Sequence, residues 1–261
     1  MKIGIIGGSG VYDPNLLQES KQIKIHTPFG PTSDLVTTGK IEGIEVVIIP
    51  RHGSKHTINP TNVNYRANIW AMKELKVTHI LAPSAVGSLR EEYKPGDLVF
   101  TSQFIDRTTK RKSTFYEGNQ VVHIGTADPT CPEIRDLLAI EAEKLGFSFH
   151  KEGTCVTIEG PRFSTRAESK AFQMWGGDII GMTMVPECVL AREAEICYST
   201  IAMVTDYDVW KEGEEVSNEK VLKTMSENLE NVKKLLIITI KAIAKLNRNC
   251  SCKNALQGAL M

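Results

Sequence analysis

Asp206 and Asp208 stand one residue apart in the string Thr-Asp-Tyr-Asp-Val-Trp, just after the apolar run Tyr198–Val204. Alternate positions of an extended strand point to the same face, so this spacing sets both carboxyl groups on one side. Aspartates placed there either cap a following helix or read a polar ligand. The ligand that suits the pair is a 6-aminopurine. A neutral carboxyl donates to N7 while its other oxygen accepts from the amino group. Burial and a second carboxylate nearby raise a carboxyl pKa far enough to keep that proton near neutral pH. An Asn would suit a 6-oxopurine instead.

Four more polar clusters follow apolar runs. Gly7-Gly8-Ser9-Gly10 fails as a dinucleotide fingerprint, because Asp13 holds the third glycine position and no acidic residue ends a second strand. It reads as a tight turn, either without a ligand or with its amides and the Ser9 hydroxyl turned to an anion. Arg51-His52 is either a packed surface pair or a donor fork beside a titratable ring. Ser84 supplies a hydroxyl, and Ala85 an amide without side-chain bulk. Met182-Thr183 closes the set. Taken together, these groups describe a pocket for inorganic phosphate.

The elements that must position them alternate along the chain. Short apolar runs predict strands at Lys2–Ile6, Glu45–Ile49, His79–Ala82, Leu98–Thr101, Thr154–Ile158, Asp178–Ile180 and Tyr198–Val204. Amphipathic stretches predict helices at Asn62–Leu75, Pro132–Leu145, Thr165–Trp175, Pro186–Glu195 and Ser217–Leu246. Pro132 and Pro186 suit first-turn positions. Ser217 suits an N-cap, but Lys220 replaces the acid of a capping box. The alternation predicts a single α/β domain with a central, largely parallel or mixed sheet flanked by helices. Ligands of such folds sit at the carboxyl ends of strands, where all five polar clusters fall.

The chain has 261 residues, enough for one large core, and balances 31 basic against 31 acidic side chains. No charge excess draws it to nucleic acid or to an anionic membrane. The apolar segment Leu235–Ile240 is far shorter than a membrane span, and the opening residues lack signal-peptide features, so a cytoplasmic protein is expected. Cysteines stand at 131, 155, 188, 197, 250 and 252 without zinc-finger spacing, and no metal site is predicted. They read either as reduced core thiols or as the structural disulfides of a hyperthermophile.

The strings IGIIGGSG, RHG, NYRANIWAMKEL, GSLRE, PGDLV, QFIDRTT, TIEGPRFSTRAES, GMTMVPE and TDYDVWKE, in this order to about residue 245, resemble those of 5'-methylthioadenosine phosphorylases. The resemblance implies a purine nucleoside phosphorylase-like fold and a nucleoside phosphorylase domain over residues 1–246. Residues 247–261 form a tail with Cys250-Ser251-Cys252, similar to the cysteine motif of thermophilic members. It implies cleavage of methylthioadenosine by phosphate, a co-substrate, to adenine and 5-methylthioribose 1-phosphate. No metal or organic cofactor is implied, and the assembly is a homotrimer or a hexamer.

Position by position, the resemblance assigns phosphate to Ser9, Arg51, His52, Ser84, Ala85 and Thr183. It assigns the ribose hydroxyls to the Met182 amide, the base and sugar walls to Phe163 and Ile180, and the base edge to Asp206 with Asp208 in support. Ser164 takes the place of the Glu that holds a 6-oxopurine at N1. The 5' end of the sugar should meet His56, Val221 and Leu222, with His123 from a neighbouring subunit. Asn218 stands where relatives carry Val, which bears on the rejection of adenosine. The resemblance further implies a Cys131–Cys197 bridge; Cys155 and Cys188, which look like additions to the family pattern, are a weaker second candidate pair.

Overall fold

The computed structural model describes residues 1–8, 17–213 and 218–261, without the side chains of residues 218, 220–222 and 227. Ser9 and Ser217, and the side chains of Asn218, Val221 and Leu222, lie outside the described residues.

The backbone of the sheet is three parallel strands. β1 (Lys2–Gly7) lies between β4 (Ile44–Pro50) and β5 (His79–Ser88) and runs parallel to both. β11 (Cys197–Asp206) then adds to β5 in parallel over almost its whole length. β2 (Gln18–Ile23) and β3 (Val36–Ile41) extend the β4 edge as an antiparallel meander. On the other side β10 (Ile179–Gly181) pairs antiparallel with the end of β5, followed by β9 (Thr154–Ile158) and β7 (Gln103–Arg107), each parallel to its neighbour. Two short strands, β6 (Leu98–Val99) and β8 (Phe149–His150), branch from β11. The sheet is therefore mixed, as the alternation of elements predicts.

Apolar runs in β1, β4 and β5 bury both faces of the sheet, as central parallel strands must. Ile6, Val47, Ile49 and Ile80 face α1 (Tyr65–Glu74) and α4 (Met184–Glu193) in one core. Ile3, Ile5, Val46, Ile48 and Leu81 face α2 (Pro132–Lys144) and α5 (Asn218–Ile243) in the other. A Cβ on Gly4 would lie 2.8 Å from Met72 Sδ, so glycine lets α1 seat against β1. α3 (Arg166–Met174) packs Phe172 into a third, smaller cluster with Leu89, Val156 and Ile180.

Helix ends follow local chemistry. Pro132 opens α2, and Asn64 caps α1 by accepting from the Ala67 amide at 3.1 Å. Thr165 and Glu168 form a full capping box ahead of α3. In α4 the extended Val185, forced out of the helical region by the following proline, puts the regular helix start at Pro186, as the sequence predicts. The run Leu235–Ile240 lies within α5, and none of the described helices is long and apolar enough to cross a membrane. The segment after α5 turns back through a 3-10 turn, Ser251–Asn254, and buries Cys252 and Ala259.

Candidate active site

Five strand ends converge on one cavity of about 450 Å³. β1 delivers Gly8, β4 delivers Arg51 and His52, and β5 delivers Ser84, Ala85 and Gly87. β10 delivers Gly181, Met182 and Thr183, and β11 delivers Thr205 and Asp206. His56, Phe163, Ser164, Ile180 and Asp208 also line it, as does Met225 from α5. Every described residue proposed from sequence thus reaches the cavity except His123. That residue sits against the C-terminal tail, where its amide donates to Ala259 O at 2.9 Å.

The Arg51 side chain is buried, and a buried charge needs a partner. Glu187 of α4 supplies it. Arg51 Nε donates to Glu187 Oε2 at 2.7 Å and Nη2 to Oε1 at 2.8 Å. Nη2 also donates to Ile6 O, and Nη1 to Pro83 O. A guanidinium has five N–H donors. These four bonds leave one, on Nη1, for the cavity. The sequence reading of Arg51 as a fork for an anion is corrected here, because the fork grips Glu187. Burial opposes the Arg51 charge, but Glu187 outweighs it and raises the guanidinium pKa. Tyr198 donates its hydroxyl to Glu187 Oε1 at 2.9 Å and completes the support.

His52 Nδ1 lies 2.9 Å from Ile58 O, and a carbonyl can only accept, so Nδ1 carries the proton. Burial, then the adjacent Arg51 charge, lowers the imidazole pKa to about 4. At neutral pH the ring is uncharged and its Nε2 is an acceptor, suited to the hydroxyl of monohydrogen phosphate rather than to a bare oxyanion. Thr183 stands at the N-terminus of α4 with no side-chain capping bond, leaving its hydroxyl beside the positive end of the helix.

The acid pair is built differently from the alternation expected. β11 ends at Asp206, and Asp208 adopts φ 49° in the turn beyond. The Asp208 amide donates to Asp206 Oδ1 at 2.8 Å, which fixes the carboxyl plane. Thr205 Oγ1 lies 2.8 Å from Asp206 Oδ2 and 3.2 Å from Val86 O. Its single proton serves either acceptor, so the arrangement holds Asp206 in both protonation states. Ionised or protonated, Asp206 Oδ2 keeps a lone pair that accepts from Thr205, which leaves a carboxyl proton free for a ligand in the cavity. Burial raises the Asp208 pKa, opposed by Ser169 and the Val209 amide and reinforced by the Asp206 charge. Asp208 Oδ2 and Ser164 Oγ are buried without hydrogen-bond partners among the described residues. Gly87 makes room for the pair, since a Cβ there would lie 3.0 Å from Asp206 Oδ1.

Sequence reasoning missed Glu187 and Arg111. Arg111 donates to Met182 O and Val185 O, both at 2.7 Å, to Glu159 O at 2.7 Å and to Glu159 Oε1 at 3.0 Å. It clamps the Met182–Thr183 turn from behind. Glu187 lies inside the string GMTMVPE and Arg111 two residues beyond QFIDRTT, but nothing local marks a long-range ion pair.

The Cys131–Cys197 bridge expected from the resemblance is not formed: all six cysteines are free thiols, so neither pairing is bonded. Cys131 and Cys197 do lie together, with Cys250 and Cys252 beside them.

The phosphorylase superfamily pattern matches residues 2–241. The S-methyl-5'-thioadenosine phosphorylase of Thermofilum pendens is 56% identical over 100% of this chain and 99% of its own. The structure of a Schistosoma mansoni methylthioadenosine phosphorylase with adenine superposes with a TM-score of 0.95 at 40% identity, covering 99% of this chain and 98% of that one. A mutant adenosine/methylthioadenosine phosphorylase of the same organism, in complex with methylthioadenosine, gives 0.94 at 39% identity, covering 99% and 98%. By site, fold and sequence, the chain belongs to the phosphorylase superfamily, within its S-methyl-5'-thioadenosine phosphorylase family.

Proposed function

We propose that this chain catalyses phosphorolysis of 5'-methylthioadenosine, releasing adenine and 5-methylthioribose 1-phosphate. The observation that carries the reading is one cavity uniting the groups that suit phosphate with those that suit adenine: Arg51, His52, Ser84, Ala85 and Thr183 with Ser164, Asp206 and Asp208.

Phosphate held beside Arg51 and the Ser84 and Thr183 hydroxyls attacks C1' as the glycosidic bond lengthens. Its negative charge offsets the positive charge growing on the sugar. Asp206 gives its proton, or a hydrogen bond, to N7 of the departing adenine, and Thr205 keeps the carboxyl oriented in either state. Adenine has no proton at N1, which agrees with a hydroxyl rather than a carboxylate at Ser164. Written this way, the reaction uses no metal and no organic cofactor. His56 and Met225 line the cavity, and the family resemblance adds Val221, Leu222 and a neighbour's His123 around the 5' end of the sugar. The family resemblance sets the assembly as a trimer or a pair of trimers, in which His123 would reach a neighbour's site. Adenosine is the second candidate substrate, since a solved relative of this fold is an adenosine/methylthioadenosine phosphorylase.

The test is base release from methylthioadenosine, adenosine and inosine, with and without phosphate. Strict phosphate dependence, with methylthioadenosine first and inosine last, is expected. Equal adenine release without phosphate would make the chain a hydrolase and overturn the reading. A fully active monomer in light scattering would remove His123 from the site.

A further inference from the structure

Arg111 lies in the loop after β7, and its side chain is buried between α1, the end of β9 and the turn that opens α4. Nη1 donates to Met182 O and Val185 O, each at 2.7 Å, and lies 3.2 Å from the Tyr65 hydroxyl. Nη2 donates to Glu159 O at 2.7 Å and to Ile158 O at 3.4 Å, and Nε donates to Glu159 Oε1 at 3.0 Å. A guanidinium has five N–H donors, and the bonds to carbonyl and carboxylate oxygens use all of them. Unlike Arg51, Arg111 has no donor left for phosphate, and it stands outside the cavity lining. Its ion-pair partner is held as firmly, since Glu159 Oε2 accepts from the Thr109 amide at 2.6 Å and the Lys110 amide at 2.9 Å. Burial opposes the Glu159 charge, but the Thr109 amide and then Arg111 outweigh it and lower its pKa to about 2. A second contact fixes the same turn through its side chain. Gly160 has φ 66°, and a Cβ there would lie 2.5 Å from Met182 Sδ, so the Met182 thioether packs where glycine leaves room.

We infer that Arg111 is a positioning residue for phosphorolysis, which sets the Met182–Thr183 turn by holding the Met182 and Val185 carbonyls on one nitrogen. Under the proposed function that turn meets the ribose through Met182 and phosphate through Thr183, and the role rests on that reading. A trans peptide sets its C=O and N–H on opposite sides. With the Met182 carbonyl turned to Arg111, the N–H of Thr183 is turned away from it. A carbonyl bonded to a cation also polarises its own peptide and makes that N–H a stronger donor. Holding residues 182 and 185 on one atom closes the turn ahead of the regular helix, so the Thr183 hydroxyl stays at the positive end of α4. A lysine here would bring the charge but not the fork. An ammonium on a flexible stem cannot hold the α4 turn and Glu159 in fixed directions at once. Because one turn serves both ligands, loss of the fork should misplace sugar and phosphate together, whereas loss of Arg51 bears on phosphate.

The experiment compares the full chain with Arg111→Lys and Arg111→Ala, well below their melting temperatures. Initial rates at varied methylthioadenosine and phosphate give both KM values, and calorimetry with inorganic phosphate gives its affinity apart from turnover. A misplacement of about 1 Å costs about 100-fold in rate, so kcat/KM should fall by about that factor in Arg111→Ala and by about tenfold or more in Arg111→Lys. Both KM values should rise together, and the affinity for phosphate should fall. A merely structural role would lower the folded fraction and with it kcat, leaving both KM values and the phosphate affinity as they are. That result would overturn the inference, as would a rise in only one of the two KM values or an Arg111→Lys enzyme with unaltered constants. Should Arg111→Ala not fold, Arg111→Lys, which keeps the charge, decides alone. No phosphate-dependent release of adenine by the unaltered chain would instead overturn the proposed function, and the phosphate calorimetry would still test Arg111.

Discussion

Replacing Arg51 with alanine should damage stability and phosphate use together, and the two losses should be separable. Glu187 is fully buried and, among the described residues, has only Tyr198 left to bond once Arg51 is gone. Breaking a buried pair from one side costs about 3–5 kcal/mol, because an uncompensated charge remains. At about 2–4 °C per kcal/mol for a chain of this size, Arg51→Ala should melt about 6–20 °C lower. The phosphate effect is smaller than a bidentate clamp would give, since one N–H remains for the ligand. One charge-assisted hydrogen bond is worth about 1.5–3 kcal/mol, or about 10- to 150-fold in the use of phosphate. Arg51→Met/Glu187→Gln removes the stranded carboxylate, keeps an acceptor for Tyr198 and fills the volume. It should regain most of the lost melting temperature and none of the phosphate use. Melting curves and steady-state kinetics at varied phosphate read both quantities. An Arg51→Ala protein as stable as the unaltered chain, or a double variant that recovers phosphate affinity, would refute the assignment of the four Arg51 bonds.

Two further outcomes follow from the cavity. The folded chain holds His52 at about 4 against an ordinary 6.5, so it binds fewer protons than the unfolded chain between those values. Stability therefore falls as pH drops through that window, by about 2 kcal/mol from this residue at pH 5, and denaturant midpoints of the unaltered chain and His52→Gln should converge there. Gly87→Ala would press a methyl on the Asp206 carboxyl, so kcat/KM for a 6-aminopurine nucleoside should fall about tenfold or more with the phosphate KM little changed; unaltered kinetics would mean that the carboxyl can move aside.

The catalytic end of the fold was legible because each strand that feeds it is a short apolar run closed by Gly or a polar residue. Arg51, Ser84, Thr183 and Asp206 could be placed by that pattern alone. β2 escaped, since Gln-Glu-Ser-Lys-Gln-Ile is exposed and carries no apolar face to read. The capping box of α3 was legible in Thr-Arg-Ala-Glu but went unread. Glu187 escaped for a different reason: its pairing with Arg51 spans 136 residues, and no local signal records a partner so distant. Asp206 and Asp208 were chosen by spacing, yet a left-handed turn rather than strand alternation brings them together. The tail looked like a separate motif because its two cysteines are adjacent to each other in sequence and to Cys131 and Cys197 only in space.

The account rests on Asp206 reading the base. The direct measurement is the ratio of kcat/KM for methylthioadenosine to that for inosine, in the unaltered chain and in Asp206→Asn. A neutral Asp donates to N7 and accepts from the 6-amino group. Asn keeps both kinds of atom, but it cannot transfer a proton to N7, and its amide can donate to a 6-oxo group instead. Each mismatched buried hydrogen bond costs about 1–3 kcal/mol. The ratio should therefore fall by at least about fivefold, with activity on methylthioadenosine reduced and inosine improved relative to it. An unchanged ratio would show that Asp206 does not read the base, and would contradict the account.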